Sequence, residues 1–142
     1  MRDITLKITG KQVYQDREED QMEFITEGQL YLKNGAIYMI YDESELSGME
    51  GTTTTITFLK GDRSILTILR EGTVRSALVL EKGRFHTGLY ETPVMPLDIT
   101  TMTYTLENTV TEAGGTIFAD YSLRIGGVTT TRTRLTAEIV PH

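Results

Sequence analysis

Apolar and polar residues alternate along most of this chain. Ile4, Leu6 and Ile8 fall two residues apart near its start, and Met22, Phe24, Leu30 and Leu32 keep an even spacing further on. A period of two belongs to strands with one buried face. Glycine-containing punctuation divides the alternation at Asn34-Gly35, Gly61-Asp62, Glu71-Gly72, Lys82-Gly83, Ala113-Gly114-Gly115 and Gly126-Gly127. Three of these recur about eleven residues apart, the spacing of a hairpin meander. No segment carries the apolar period of a three-turn helix; residues 42–51 admit at most one helical turn.

Two-residue turns fix register, so faces can be traced from strand to strand. Asn34-Gly35 sets Leu32 opposite Ile37 and Leu30 opposite Met39, with Tyr31, Lys33 and Tyr38 on the other face. Glu71-Gly72 as a turn pairs Leu69 with Val74, Thr67 with Ser76 and Ile65 with Leu78. Lys82-Gly83 then sets Leu80 opposite Phe85, Leu78 opposite Thr87 and Ser76 opposite Leu89. The core face expected from these strands is Ile65, Leu69, Val74, Leu78, Leu80, Phe85 and Leu89. A four-residue loop over 112–115 pairs Val110 with Ile117, Leu106 with Tyr121 and Tyr104 with Leu123. At the last hairpin a two-residue loop would drive Arg132 and Arg134 inward, and burying unpaired guanidiniums is far more costly than one extra loop residue. A three-residue loop over 126–128 is therefore expected, with Asp120 opposite Arg134. About ten strands with one apolar face bury it by closing on themselves. The expectation is an all-β chain, residues 1–142 forming a single closed antiparallel meander β-barrel, with a two-sheet sandwich as the rival.

Composition narrows the function classes. About two dozen threonines suit pleated strands. No cysteine is present, which removes disulfides, thiolate metal sites and cysteine nucleophiles together. Fourteen basic residues against twenty acidic ones give a net charge of −6, a poor match to a phosphate backbone. The start of the chain has no apolar core of signal-peptide length, and no run is long enough for a membrane helix. A cytoplasmic protein with neither nucleic-acid nor membrane partners is expected.

Several short strings resemble a known family. Ile40-Tyr41-Asp42-Glu43, Thr54-Thr55-Ile56, Arg70-Glu71-Gly72, Tyr90-Glu91-Thr92-Pro93 and Ala119-Asp120-Tyr121-Ser122-Leu123 follow one another in the order seen in the YwiB-like family of bacterial proteins. The resemblance implies a bacterial, lipocalin-like (calycin) barrel and supplies no catalytic residues. It also implies a glycine soon after Thr92-Pro93, where this chain has Val94-Met95-Pro96-Leu97.

Candidate chemistry is sparse. The traced register gathers Arg70, Arg75, His86 and Tyr90 on the outer face, where guanidinium, imidazole and phenol groups suit an anion or a partner. A solvated wall is the plainer account of that face. Inside, Thr67, Ser76, Thr87 and Tyr121 are the few polar groups of a barrel that either packs solid or holds one small ligand. The acidic run at 16–20 reads as a solvated loop, and the acidic residues at 42, 43, 45 and 50 lack the spacing of a calcium loop. With His86 and His142 the only histidines and no nucleophile elbow or phosphate loop, no cofactor, metal or catalytic residue is assigned. The leading expectation is non-catalytic binding of a small apolar or amphipathic ligand inside the barrel. A packed barrel that forms a homodimer or binds another protein through its outer face comes next, and an enzyme using His86 third.

Overall fold

The alternation that begins at Ile4 becomes β1 (Arg2–Tyr14), and the following ones become β2 (Asp20–Lys33), β3 (Ala36–Asp42), β4 (Thr52–Leu59) and β5 (Asp62–Gly72). The second half supplies β6 (Arg75–Glu81), β7 (Phe85–Glu91), β8 (Pro96–Asn108), β9 (Gly115–Ile125) and β10 (Thr129–Pro141). This computed structural model describes residues 1–14, 20–44, 49–127 and 129–142. Each strand pairs antiparallel with the next, and β1 pairs with β10, so the sheet closes into a ten-stranded, lipocalin-like barrel. Closure pairs every strand with two neighbours, and the inward residues form one core that includes Ile4, Leu6, Ile37, Met39, Leu66, Ile68 and Leu80. Residues 15–19, with most of the acidic run, and 45–48, within the segment expected to admit a helical turn, lie outside the described residues. Among the described residues no helix is long and apolar enough to cross a membrane.

The Asn34-Gly35 turn sets the expected register. Both residues have positive φ, 52° and 76°, as a tight hairpin turn requires, and Leu30 pairs with Met39 and Leu32 with Ile37. The register of the last hairpin also follows expectation, Val128 of its loop lying outside the described residues: Thr131 faces Leu123, Thr133 faces Tyr121 and Arg134 faces Asp120. Arg132, two pairs along on the same face, makes the closer contact, donating from Nε and Nη2 to the two Asp120 carboxylate oxygens at 2.9 Å each. Arg134 Nε lies 3.7 Å away, and the Arg132 guanidinium also covers the Tyr104 ring at 4.3 Å.

Two hairpins correct the traced register, each by an odd number of residues. Gly72 is the end of β5 and pairs with Thr52; a Cβ on it would lie 2.2 Å from the Gly51 carbonyl oxygen. This glycine serves a close approach of two backbones, so the chain reverses later and Leu66, Ile68 and Arg70 pair with Leu80, Leu78 and Ser76. At the next hairpin Arg84 N–H does close a turn on the Glu81 carbonyl, but Gly83 N–H is tied to the Thr103 carbonyl of β8. β7 slips by one residue, pairing Ser76 with Tyr90 and Arg75 with Glu91. An odd slip exchanges the two faces of a strand. Leu78 and Leu80 are therefore in the core as expected. Ile65, Leu69, Phe85 and Leu89 instead lie on the outer wall, Phe85 being 72% exposed, and Val74 sits half-buried between β5 and β6.

A third correction concerns β8. A bulge between Thr103 and Thr105 puts Thr103 inside and leaves Tyr104 exposed, while Leu106 faces Ala119 and Asn108 faces Ile117. Beyond their two paired positions β6 and β7 diverge, leaving a seam in the wall. The Thr101 hydroxyl spans it, donating to the Val79 carbonyl at 2.9 Å and reaching the His86 carbonyl at 3.4 Å.

Candidate binding site inside the barrel

On β3 the inward face that carries Ile37 and Met39 continues to Tyr41 and then Glu43, at the rate of every second residue. Tyr41 faces Thr54 on β4, Thr54 faces Arg70 on β5, Arg70 faces Ser76 on β6, and Ser76 faces Tyr90 on β7. One polar row thus crosses the inner surface of five neighbouring strands. From the other side of the barrel Thr103, Tyr121 and Thr133 form a second row across β8, β9 and β10.

Within these rows the Thr54 hydroxyl donates to Glu43 Oε1 at 2.7 Å, and Glu43 is only 6% exposed. Its second oxygen, Oε2, is buried without a hydrogen-bond partner among the described residues, as are Arg70 Nε, Ser76 Oγ and Thr103 Oγ1. Unpartnered buried polar atoms are rare, and each costs about 1–3 kcal/mol. The electrostatics join the groups further. Burial first, then the Glu43 carboxylate, raises the Tyr41 phenol well above its ordinary value, while the Arg70 charge acts in the opposite sense. Tyr121 is likewise raised by burial and drawn down by Arg70. Arg70 is thus close enough to both phenols for its charge to act on them.

Beside this cluster is a cavity of about 50 Å³ whose wall is largely apolar, with Ile8, Phe24, Ile56, Ile68 and Ala137 among its lining and Met22 and Met49 also contributing. Tyr41, Glu43 and Arg70 supply its polar side. The arrangement is that of a small binding pocket, apolar over most of its surface with a few directed polar groups.

The residues singled out from the sequence are redistributed by the corrected register. Of the four placed on the outer face, Arg70 and Tyr90 belong to the inner polar row. His86 also shares the inner face but lies at the other end of β7, where Nε2 meets Glu81 Oε1 at 3.0 Å. Four residues of extended chain, roughly 13 Å, separate His86 from Tyr90. Arg75 alone stays outside and exposed. Of the four polar residues placed inside, Ser76 and Tyr121 are buried there, whereas Thr67 and Thr87 face outward because β5 and β7 are inverted. Tyr41, Glu43 and Thr54 were not singled out for this role. The signal for the first two was present: extending the Asn34-Gly35 register by two further steps of two puts Tyr41 and Glu43 inside.

No curated protein matches the chain at the level of significance applied. Its fold is similar to that in the crystal structure of the ywiB protein from Bacillus subtilis, with a TM-score of 0.80, 20% sequence identity, and 96% of this chain and 91% of that one covered. The profile of a domain of unknown function, DUF1934, matches residues 6–136. This chain belongs to that family, the YwiB-like barrels, as the strings from Ile40 to Leu123 suggested.

Proposed function

We propose that this chain is a non-catalytic, cytoplasmic bacterial protein whose barrel binds a small amphipathic molecule. The observation that carries this reading is the pairing of two unpartnered, oppositely charged groups, Arg70 Nε and Glu43 Oε2, with one apolar cavity. A packed structural core gains nothing from such atoms, whereas a ligand that supplies both partners removes their desolvation cost. The absence of cysteine suits a reducing compartment. The test is native mass spectrometry of protein purified gently from its own host. The expected result is a non-covalent small-molecule adduct that is missing from Ala137→Leu, which fills the cavity. A wild-type spectrum showing only the bare chain would overturn the reading.

A second reading rests on a different observation. Phe85 and Leu89 are exposed on the outer wall of β7, and Leu89 lines a groove of about 280 Å³ that mixes Leu69 and Ala77 with Arg70, Arg75 and Glu91. Exposed apolar side chains beside charged ones on an open sheet face suit contact with a second copy or another protein. Sedimentation of wild type against Phe85→Lys tests it: a dimer that the substitution dissolves supports self-association, and a wild-type monomer counts against it.

A further inference from the structure

Resting on the reading of the cavity as a binding site, we propose that its ligand is a small zwitterion, an apolar α-amino acid or a close analogue, with its carboxylate on Arg70 and its ammonium on Glu43.

The argument begins with charge. Arg70 and Glu43 together are neutral, and both line a cavity whose remaining wall is largely hydrocarbon. A simple anion bound to Arg70 would leave a net negative charge in a region of low polarisability, and a simple cation bound to Glu43 would leave a positive one. Either is disfavoured, because an uncompensated charge against a largely hydrocarbon wall loses solvation that nothing replaces. An uncharged apolar molecule leaves both polar atoms unsatisfied. A zwitterion satisfies the donor and the acceptor and keeps the site neutral.

Placement fits the same class. Glu43 follows β3 and Arg70 is on β5, with Thr54 of β4 between them; the Thr54 hydroxyl binds Glu43 Oε1 and holds the carboxylate toward the middle strand. Strands two apart are roughly 10 Å from each other and each side chain keeps an unpartnered atom, so a molecule with its two charges a few bonds apart fits between the carboxylate and the guanidinium. The other Glu43 oxygen stays available, because Thr54 occupies only the first.

Size completes the selection. A cavity of about 50 Å³ has room for roughly three to five waters, equivalent to roughly 100–150 Å³ of ligand. That is the range of a small aliphatic amino acid and is too small to enclose a long acyl chain or a nucleotide. Ile8, Ile56, Ile68 and Ala137 then surround the aliphatic part.

The test compares three probes by calorimetry and thermal unfolding: L-valine, 3-methylbutanoate, which lacks the ammonium, and 2-methylpropylamine, which lacks the carboxylate. Valine should bind and raise the melting temperature, and each single-headed analogue should bind at least about a hundredfold more weakly, as sites with dedicated polar partners discriminate. Arg70→Met and Glu43→Gln should each abolish the valine effect while retaining the wild-type circular dichroism. Should either fail to fold, Ala137→Leu takes its place and should abolish binding by filling the cavity. Methylbutanoate binding as tightly as valine would overturn the zwitterion assignment and leave the cavity reading intact. So would failure of valine to bind a protein that carries another adduct by native mass spectrometry. Failure of all three probes together with an adduct-free native spectrum would overturn both.

Discussion

Leu78 and Tyr41 point into the same interior, but only Tyr41 makes stability depend on pH. Leu78 is an ordinary core residue, so Leu78→Ala leaves a cavity and should cost about 2–5 kcal/mol, read from urea unfolding midpoints. Tyr41 and Tyr121 are buried phenols whose ionisation the barrel resists, so both bind their protons more tightly folded than unfolded. Their contribution is complete below the ordinary phenol value of about 10 and is lost as pH rises through and above it. Stability should therefore fall between about pH 10 and 12, and Tyr41→Phe or Tyr121→Phe should each make that fall shallower. Equal slopes for wild type and both variants would show that these phenols are solvated.

At the scale of elements, the β9–β10 hairpin is held by a contact that the register creates. The Arg132 guanidinium keeps the Asp120 carboxyl below its ordinary value, and the Asp120 side chain is only 11% exposed. A depressed carboxyl stabilises above its unfolded value, and the gain disappears as pH falls through the folded one. Because Arg132 is well exposed, Asp120→Asn should cost only about 0.5–1 kcal/mol near neutrality. The difference from wild type should fade below about pH 4, as urea titrations at several pH values would show. Gly28 on β2 serves a different contact. A Cβ there would lie 2.5 Å from the Ile40 carbonyl oxygen and 2.8 Å from Leu6 Cδ1. Gly28→Ala should force the first three strands apart and cost about 1–3 kcal/mol in the same measurement.

For the molecule as a whole, the seam between β6 and β7 is the weakest joint in the wall. Only two residue pairs bridge it, whereas β1 is paired with β10 along almost its entire length. Amide exchange is governed by local opening, so peptides covering residues 77–80 and 85–88 should exchange hydrogen faster than those of β1, β9 and β10. Thr101→Val removes the hydroxyl that joins Val79 to His86 and should accelerate exchange at the seam without changing it in β1. Uniform protection around the barrel would mean that the seam is as firm as the paired strands.

Period-two alternation, the absence of helical periodicity and the regular turn spacing pointed to an all-β meander, and the pairing of β1 with β10 decided closure over the two-sheet rival. Where a turn residue's only task was positive φ, as at Asn34-Gly35, register was legible too. It was also legible at β9–β10, where the cost of burying Arg132 and Arg134 decided loop length. The candidate site was not legible as a site, because it depends on which face of β5 and β7 turns inward. That choice rested on Gly72 and Gly83, whose partners are remote in sequence. Gly72 is needed for close approach to Gly51 and Thr52, and Gly83 is tied to Thr103. A glycine chosen for a long-range contact looks the same in sequence as one chosen for a turn. An error of one residue in either loop moves Arg70 and Tyr90 from one face of the wall to the other. Local chemistry determined the strands, and contacts between distant strands decided that Arg70 lines one cavity with Tyr41 and Glu43 and that its charge reaches Tyr121.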